Sequence, residues 1–346
     1  MQFDDRFDNA EAVPDVRLKG IVMRLNGFAR LWVSLLCLVF VSSSFAQSQP
    51  WPAKPIKLVV AFAPGGPADI VARLLGQAMQ EKLGQSVVVE NRAGAGGNIA
   101  ARLVAKDSAD GYVLLVTTSS MAVNQTLYKD PGYDALKDFS SIGLIAASPN
   151  IIVAHPSEPS NDLREFLRNY KGKSVSYGSA GIGSTPHLTG DHVLRVLGGL
   201  DAVHIPFQGA APALNATMAN QVPLASVALP PAVPLIKAGK VKALAVTSLK
   251  RLESLPNIPT VAESGFPNFE DYTWVGLFAP AKLPTDIVTR LNALIAEAVR
   301  TPDFRDRLNA AGFEAQTGSP QDFNDYLKRE VSKWGKIVKE TGVPAQ

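Results

Sequence analysis

The 346-residue chain contains a single cysteine, Cys37, and it lies inside an apolar run near the N-terminus. If that run is removed as a leader, the mature part has no thiol, which excludes a disulfide, a zinc-thiolate site and a cysteine nucleophile. The absence is compatible with an oxidising compartment. Cys37 follows Leu36 and not Gly, Ala or Ser, so it does not read as a lipid-attachment site. An excess of one charge is also missing. Lys and Arg number 34 against 31 Asp and Glu, residues 1 to 46 hold five of each, and the remainder keeps the net +3. There is no basic block and no basic helix interleaved with aromatics, which disfavours a nucleic-acid partner. Low-complexity tracts and fixed-period repeats are absent as well.

No apolar run is long enough for a membrane span, which needs roughly 20 residues in a helix. The run that is present, Leu31 to Val41, is flanked by Arg24 and Arg30 and followed by Ser42-Ser43-Ser44-Phe45-Ala46, with small residues at the two positions a signal peptidase inspects. It reads as a secretory signal cleaved after Ala46, which places the protein in the periplasm. Residues before Met23 carry several acidic side chains that suit neither a signal nor a fold, so Met23 is the alternative start. About 300 residues then remain, which fits two α/β domains better than one.

The densest information in that part is Val59-Val60-Ala61-Phe62-Ala63-Pro64-Gly65-Gly66-Pro67-Ala68-Asp69-Ile70. A β-branched strand runs into a glycine turn, and Pro67 has the fixed φ that suits a first helical position. Ile70, Val71, Leu74, Leu75, Ala78 and Met79 then recur at helical spacing up to Leu83-Gly84. Free amides at such a helix start can hold a carboxylate or phosphate, with Gly65, Gly66 and Ala68 leaving room for it. The same stretch reads equally as an ordinary tight strand-to-helix connection. Further on, 86–90 reads as a strand, 97–106 as a helix and 112–117 as a strand, giving a βαβαβ start and a parallel sheet. A second α/β run spans 151–247. Residues 140–147 and 272–279 read as crossings between domains, and 284–299 and 321–339 as closing helices that return to the first. The expected division is 47–148 with 276–346 as one domain and 149–275 as the other.

Several loops suggest chemistry and fail its requirements. Gly94-Ala95-Gly96-Gly97 is followed by Ile99 where a dinucleotide fingerprint needs its third glycine, and no Lys-Ser/Thr pair makes it a P-loop. Tyr177-Gly178-Ser179-Ala180-Gly181 lacks the first glycine of a nucleophile elbow. His187 and His192 are five apart, which does not stack them as a metal pair. Neither a catalytic residue, a metal nor a cofactor is indicated. The stretch from Ser179 through Ala180, Gly183, Ser184 and Thr185 to His187 offers hydroxyls, glycines and a second helix entry, again suited to an anion or simply a capped helix after a polar loop. Thr117-Thr118-Ser119-Ser120 is a third polar loop. Two such entries, one in each half of the chain, with no acid/base pair beside them, point to binding without chemistry.

The ordered motifs Phe62-Ala63-Pro64-Gly65-Gly66 with Asp69, 88–98 from Val88 to Asn98, Asp110-Gly111-Tyr112, Lys137-Asp138-Phe139, Tyr177 to Gly181, His204-Ile205-Pro206-Phe207-Gln208-Gly209, Lys237-Ala238-Gly239-Lys240 and Pro259 to Glu263 resemble the signature of the tripartite tricarboxylate transporter substrate-binding proteins, the Bug family. The resemblance runs from about Trp51 to near the C-terminus. It implies an α/β, two-domain periplasmic binding protein (a Venus flytrap), each domain a mostly parallel sheet flanked by helices. The implied partners are a small organic acid and the membrane permease subunits of a tripartite transporter, with the receptor itself a monomer. The Phe62 to Asp69 loop and the Ser179 to His187 loop would hold one ligand carboxylate, partly through ordered waters, with Ser119 and Ser120 nearby and Phe207, Gln208 and Gly209 lining the second lobe. Asp69 is expected to favour the helix dipole over touching an anion, and Arg92 to form a structural ion pair. Members that take amino acids commonly carry an aspartate where this chain has Val227, so an acid with a hydrocarbon or aromatic middle, such as terephthalate, another benzoate-type acid or a longer aliphatic diacid, is expected. A receptor feeding a sensor kinase and an enzyme of unrecognised type are the alternative functions.

Overall fold

The structure, a computed structural model, describes residues Trp51–Gln346, and the expected signal segment lies outside the described residues. Strands β1 (Ile56–Val60), β2 (Val87–Asn91) and β3 (Val113–Thr118) pair in parallel in the order β2-β1-β3, connected through helices α1 (Pro67–Leu83) and α2 (Asn98–Ala105). This is the expected βαβαβ unit. The second half of the molecule is built on β5 (Ser174–Ser179), parallel to both β6 (Asp201–Pro206) and β7 (Leu224–Ala228), with α5 (Thr185–Gly190) running on as a π-helix over Asp191–Leu197. Helix α6 (Ala210–Met218) connects β6 to β7.

Strand β4 ties the halves together. Its 16 residues, Phe139–Ala154, pair first with β9 (Tyr272–Pro280) and then with β7 and β8 (Lys242–Val246). The sequence reading divides this stretch into 140–147 and a second run from 151, leaving Ser148-Pro149-Asn150 unassigned. Pro149 instead faces Tyr272 at the last position paired with β9, and Asn150 opens the pairing with β7, so the residue without an N–H sits at the handover between partners. Past it, Ile151 and Val153 enter one apolar cluster and Ile152 and Ala154 another, on opposite faces of the second sheet. The first half has a single larger core around Leu58, Val60, Leu75, Leu115 and Phe278.

Helix α10 (Pro320–Thr341) starts at a capping box, in which Ser319 Oγ accepts from the Asp322 amide and Asp322 accepts from the Ser319 amide. It packs on the first half, and the indole N–H groups of Trp274 and Trp334 both donate to Glu330 at 2.9 Å. Helices α3 (Ser120–Leu127), α4 (Leu163–Asn169) and α8 (Thr285–Arg300) complete the layers. Three further elements carry no clear sequence signal: α7 (Leu229–Lys237), α9 (Pro302–Ala310) and the two-residue β10 (Glu314–Ala315). In α7, Pro230 sits in the first turn, where the missing N–H would have no partner anyway.

A buried polar chain lies where β4 and β9 cross between the halves. The Asn150 side chain donates to Thr189 Oγ1 (3.0 Å) and Asp271 Oδ2 (2.9 Å) and accepts from Thr273 Oγ1 (2.7 Å). Thr273 continues to Thr185 at 2.6 Å, and Thr185 to Ser119 at 3.0 Å. Asp271 also accepts from the Thr189 hydroxyl, while its Oδ1 has no partner among the described residues. Burial pushes its pKa up from 3.8 to about 6, against the hydrogen bond from Thr189, the charge of Lys333 and the hydrogen bond from Asn150. A carboxyl whose native pKa is raised costs native stability as it ionises, so the cost grows as pH rises from about 4 to about 6 and then levels off. Asp271→Asn escapes it. Chemical denaturation at a series of pH values should show the variant's stability, relative to the unmodified protein, improving across that window; a constant difference would mean that Asp271 is not held protonated.

Candidate functional site

The two glycine loops meet face to face. The Ala63 amide donates to the Gln208 carbonyl at 3.1 Å, Ser119 and Thr185 share a hydroxyl–hydroxyl hydrogen bond, and Tyr128 OH reaches the Ile182 carbonyl at 3.4 Å. Each of these contacts joins the half built on β1 to the half built on β5, so the cleft is closed. Enclosed between them is a cavity of about 20 Å³ lined by Phe62, Pro67 and Thr118 from one side, Ala180, Ser184, Pro186, Ala210 and Ala228 from the other, and Thr273 on β9. Toward the surface lies a chamber of about 220 Å³ that shares Phe62 and Ala180 with it and adds Gly94–Gly97, Tyr128, Gly181, Ile182 and 206–208.

The first loop is held by Asp69. Its carboxylate accepts from the Gly65 amide (2.9 Å), from Asn91 Nδ2 (3.0 Å) and from Arg73 through two bonds of 2.9 Å. Burial works to raise the Asp69 pKa, but the bonds from Arg73, Gly65 and Asn91 outweigh it and hold the carboxyl below its ordinary value. Asp69 is therefore a loop clamp, and it does not line the cavity. Gly65 has φ +80°, and a Cβ there would stand 3.3 Å from Ala211 across the cleft. Gly66, φ −83°, would place a Cβ only in ordinary contact with the Ala63 carbonyl at 3.5 Å. Of the two, Gly65 is the conformationally required glycine. Arg92 pairs with Glu90 on the surface.

The second loop rests on two stacked histidines. The rings of His187 and His204 are 3.9 Å apart, His204 Nε2 is 2.6 Å from Ser179 Oγ, and His187 Nδ1 accepts from the Gly183 amide at 3.4 Å. Ser179 Oγ in turn accepts from the Gly181 amide (3.2 Å), and Ser184 Oγ donates to the Gly181 carbonyl (2.8 Å). Gly183 packs so tightly that a Cβ would come within 2.1 Å of Asn124 Oδ1 in the opposite half.

Of the residues expected from sequence, Phe62, Ala180 and Ser184 line the inner cavity, and Phe207 and Gln208 line the outer chamber. Ser119, Ser120, Ser179, Gly183, Thr185 and His187 stand behind the walls, bonded to one another or to their loops. Gly66 and Ala68 are buried at the start of α1, Pro64 is exposed, and Gly209 lies against Ala63. Val227 is fully buried in the apolar cluster that also holds Ala180 and Ala210, and its neighbour Ala228 is the residue on the wall. Pro67, Thr118, Pro186, Ala210, Ala228 and Thr273 are wall residues that sequence reasoning did not single out. The first three lie in loops it had marked; Thr273 is the second residue of β9, with no local signal. Among the described residues no group of three His, Cys, Asp or Glu is placed to hold a metal ion.

Burial and, for His204, the adjacent His187 push the histidine pKa values down from 6.5, to about 4 for His187 and about 3 for His204. Groups with depressed native pKa values contribute stability that is complete above 6.5 and is lost as pH falls toward 4 and then 3. The unmodified protein should lose more thermal stability between pH 7 and pH 4 than His204→Gln, and parallel curves would show that the pair is not buried neutral.

The chain matches the family model described as "Tripartite tricarboxylate transporter family receptor" over residues 71–343. It is similar to the solved periplasmic binding protein BugD, at 37% identity and a TM-score of 0.82, over 86% of this chain and 100% of that one. It is also similar to Rpa4515 of R. palustris, solved with adipate (36% identity, TM-score 0.82, 84% of this chain and 98% of that one). A third similarity is to MatC of Rhodopseudomonas palustris, solved with bound malate (33% identity, TM-score 0.79, 83% of this chain and 100% of that one). These relatives bind solutes and are not enzymes, and their two-domain α/β fold is the one described above. The chain belongs to the tripartite tricarboxylate transporter receptors of the Bug family.

Proposed function

We propose that this receptor captures an elongated dicarboxylate with a hydrocarbon or aromatic middle, such as a longer aliphatic diacid or terephthalate, in the periplasm. It then delivers the acid as a monomer to the permease subunits of a tripartite transporter. The observation that carries the reading is the chemistry of the cavity wall: Phe62, Pro67, Ala180, Pro186, Ala210 and Ala228 are apolar, Thr118, Ser184 and Thr273 supply hydroxyls, and no charged side chain lines it. An ammonium group would find no carboxylate there, which disfavours amino acids. An apolar middle gains about 25 cal/mol per Å² removed from water. The carboxylate is met by hydroxyls and by the amides of the first turn of α1, which have no intrahelical partner. Two relatives hold adipate and malate, both small diacids. The leader read from residues 1–46 supplies the route to the periplasm, and the domains pivot where 148–150 and 271–273 cross.

Thermal unfolding of residues 47–346 with adipate, terephthalate, malate, citrate and glutamate tests this directly. A ligand at 100 times its Kd adds about 2.7 kcal/mol. The largest shifts should come from adipate and terephthalate, and a larger shift from glutamate would overturn the assignment of ligand class.

The same titration distinguishes the two loop glycines. Gly65→Ala forces an L-residue into the left-handed region, at about 1–2 kcal/mol, and crowds Ala211 in the closed cleft. It should weaken the best ligand about tenfold or more, whereas Gly66→Ala should stay within about threefold. The reverse order would show that the amide of Gly66, rather than the turn at Gly65, makes the site.

A further inference from the structure

A groove of about 750 Å³ lies apart from the inner cavity and the outer chamber and shares no lining residue with either. Its walls come from both halves: Ile70 and Leu74 on α1 and Ala310 on α9 from one, Leu214 on α6 and Val233 and Leu235 on α7 from the other. Gly65 and Ala211, which approach each other across the cleft, line it as well, so the groove adjoins the closed loops. Three further wall residues on α7, Pro230, Pro231 and Pro234, have no N–H, so an apolar occupant leaves no backbone donor of theirs unpaired. A concavity of this volume falls within the range of small-molecule sites, and a contiguous apolar surface of such extent marks a place where something binds.

The charge on the groove is of one sign. No Asp or Glu lines it, whereas Lys237, exposed in the last turn of α7, and Arg307, exposed on α9, both do. Lys237 has no ion-pair partner among the described residues. Arg307 stands 3.6 Å from Asp303 and donates to Gln77 at 3.1 Å through the same nitrogen, an exposed pairing worth little that leaves its other N–H groups for an incoming anion. We propose that this groove is a second ligand site, separate from the carboxylate cavity, for a single-chain anionic amphiphile: a free medium- or long-chain fatty acid, its tail on the leucine, valine and proline walls and its head on Lys237 and Arg307. Apolar walls with cations and no carboxylate match that chemistry at both ends. A cationic amphiphile meets like charge there, and a short polar acid leaves the walls unfilled. The site is independent of the ligand assigned to the cleft and uses the protein in the arrangement described.

Calorimetric titration with octanoate, decanoate and dodecanoate tests this, with decyltrimethylammonium as the cation of matched chain length. Affinity should rise by up to about fourfold per added methylene, and decanoate should bind at least tenfold more tightly than the cation. Replacing both cations, Lys237→Gln with Arg307→Gln, should weaken decanoate about tenfold or more. Leu235→Asp, which sets a carboxylate in the groove, should do the same, and thermal unfolding without ligand reports whether each variant is folded. Saturating adipate should leave the decanoate affinity within about twofold. No binding of decanoate, equal binding of the cation, or unchanged affinity in the double variant would overturn the site. Displacement by adipate would also overturn it, by placing decanoate in the cleft, while leaving the carboxylate receptor standing. Sedimentation with phosphatidylglycerol vesicles supplies the remaining outcome: vesicle binding that is lost in the double variant, with no binding of free decanoate, would assign the groove to a lipid surface and overturn the fatty-acid site.

Discussion

Asn150 is the residue on which the arrangement of the two halves turns. It stands where β4 leaves the sheet shared with β9 and enters the sheet shared with β7, and its side chain uses both donors and its acceptor on Thr189, Asp271 and Thr273. A buried amide left with an unpaired group costs about 1–3 kcal/mol, so such a junction strongly specifies one geometry. From it the chain of hydroxyls runs through Thr273 and Thr185 to Ser119, and Thr273 is also a wall of the cavity. The crossing strands and the floor of the cleft are thus one hydrogen-bonded body.

Around that floor no charged side chain lines the cavity. The charged residues nearest the loops are committed elsewhere: Asp69 to Arg73 and the Gly65 amide, Arg92 to Glu90, Arg195 to Asp191. Paired in this way they fix loop shape and leave backbone amides and hydroxyls to face the cleft. The close approach of the loops depends on glycine at Gly96 and Gly183, where a Cβ would strike the Ile182 carbonyl at 2.3 Å and Asn124 Oδ1 at 2.1 Å in the opposite half. The role of the glycine loop at 94–97 is therefore in packing the closed cleft, consistent with its failure as a nucleotide fingerprint.

The parts of this molecule legible in its sequence are those specified locally. The β1–α1 turn, the parallel β2-β1-β3 unit, the helix entered at Thr185-Pro186 and the family motifs all follow from residues adjacent in the chain. What was not legible depends on contacts distant in sequence. Thr273 reaches the cavity from a strand 88 residues beyond its partner Thr185, and nothing in Tyr272-Thr273-Trp274 distinguishes it from any strand threonine. Val227 and Ala228 show the same limit at finer grain. Val227 was expected in the site, but strand alternation, set by the pairing of β7 with β4, turns Val227 into the apolar cluster and puts its neighbour Ala228 on the cavity wall. The prolines of α7 hid a helix because a proline is judged by its N–H; Pro230 sits in the first turn, where that N–H is not needed, while Pro234 stands inside the helix.

The closed cleft also constrains how a ligand can act. A ligand shifts the balance between open and closed forms only by its differential affinity for the two. Here the inner cavity is walled by Phe62, Pro67 and Thr118 on one side and by Ala180, Ser184 and Pro186 on the other, so an acid touching both walls makes its full set of contacts in the closed form alone. The two halves meet through Ala63–Gln208, Ser119–Thr185 and Tyr128–Ile182, three neutral hydrogen bonds each worth about 1 kcal/mol net. Such bonds alone give a modest bias, which the charge-assisted contacts of a bound carboxylate can exceed. Thr185 belongs both to this lock and to the chain that ends at Asn150, so the contacts that join the halves and the crossing strands share one hydrogen-bonded network.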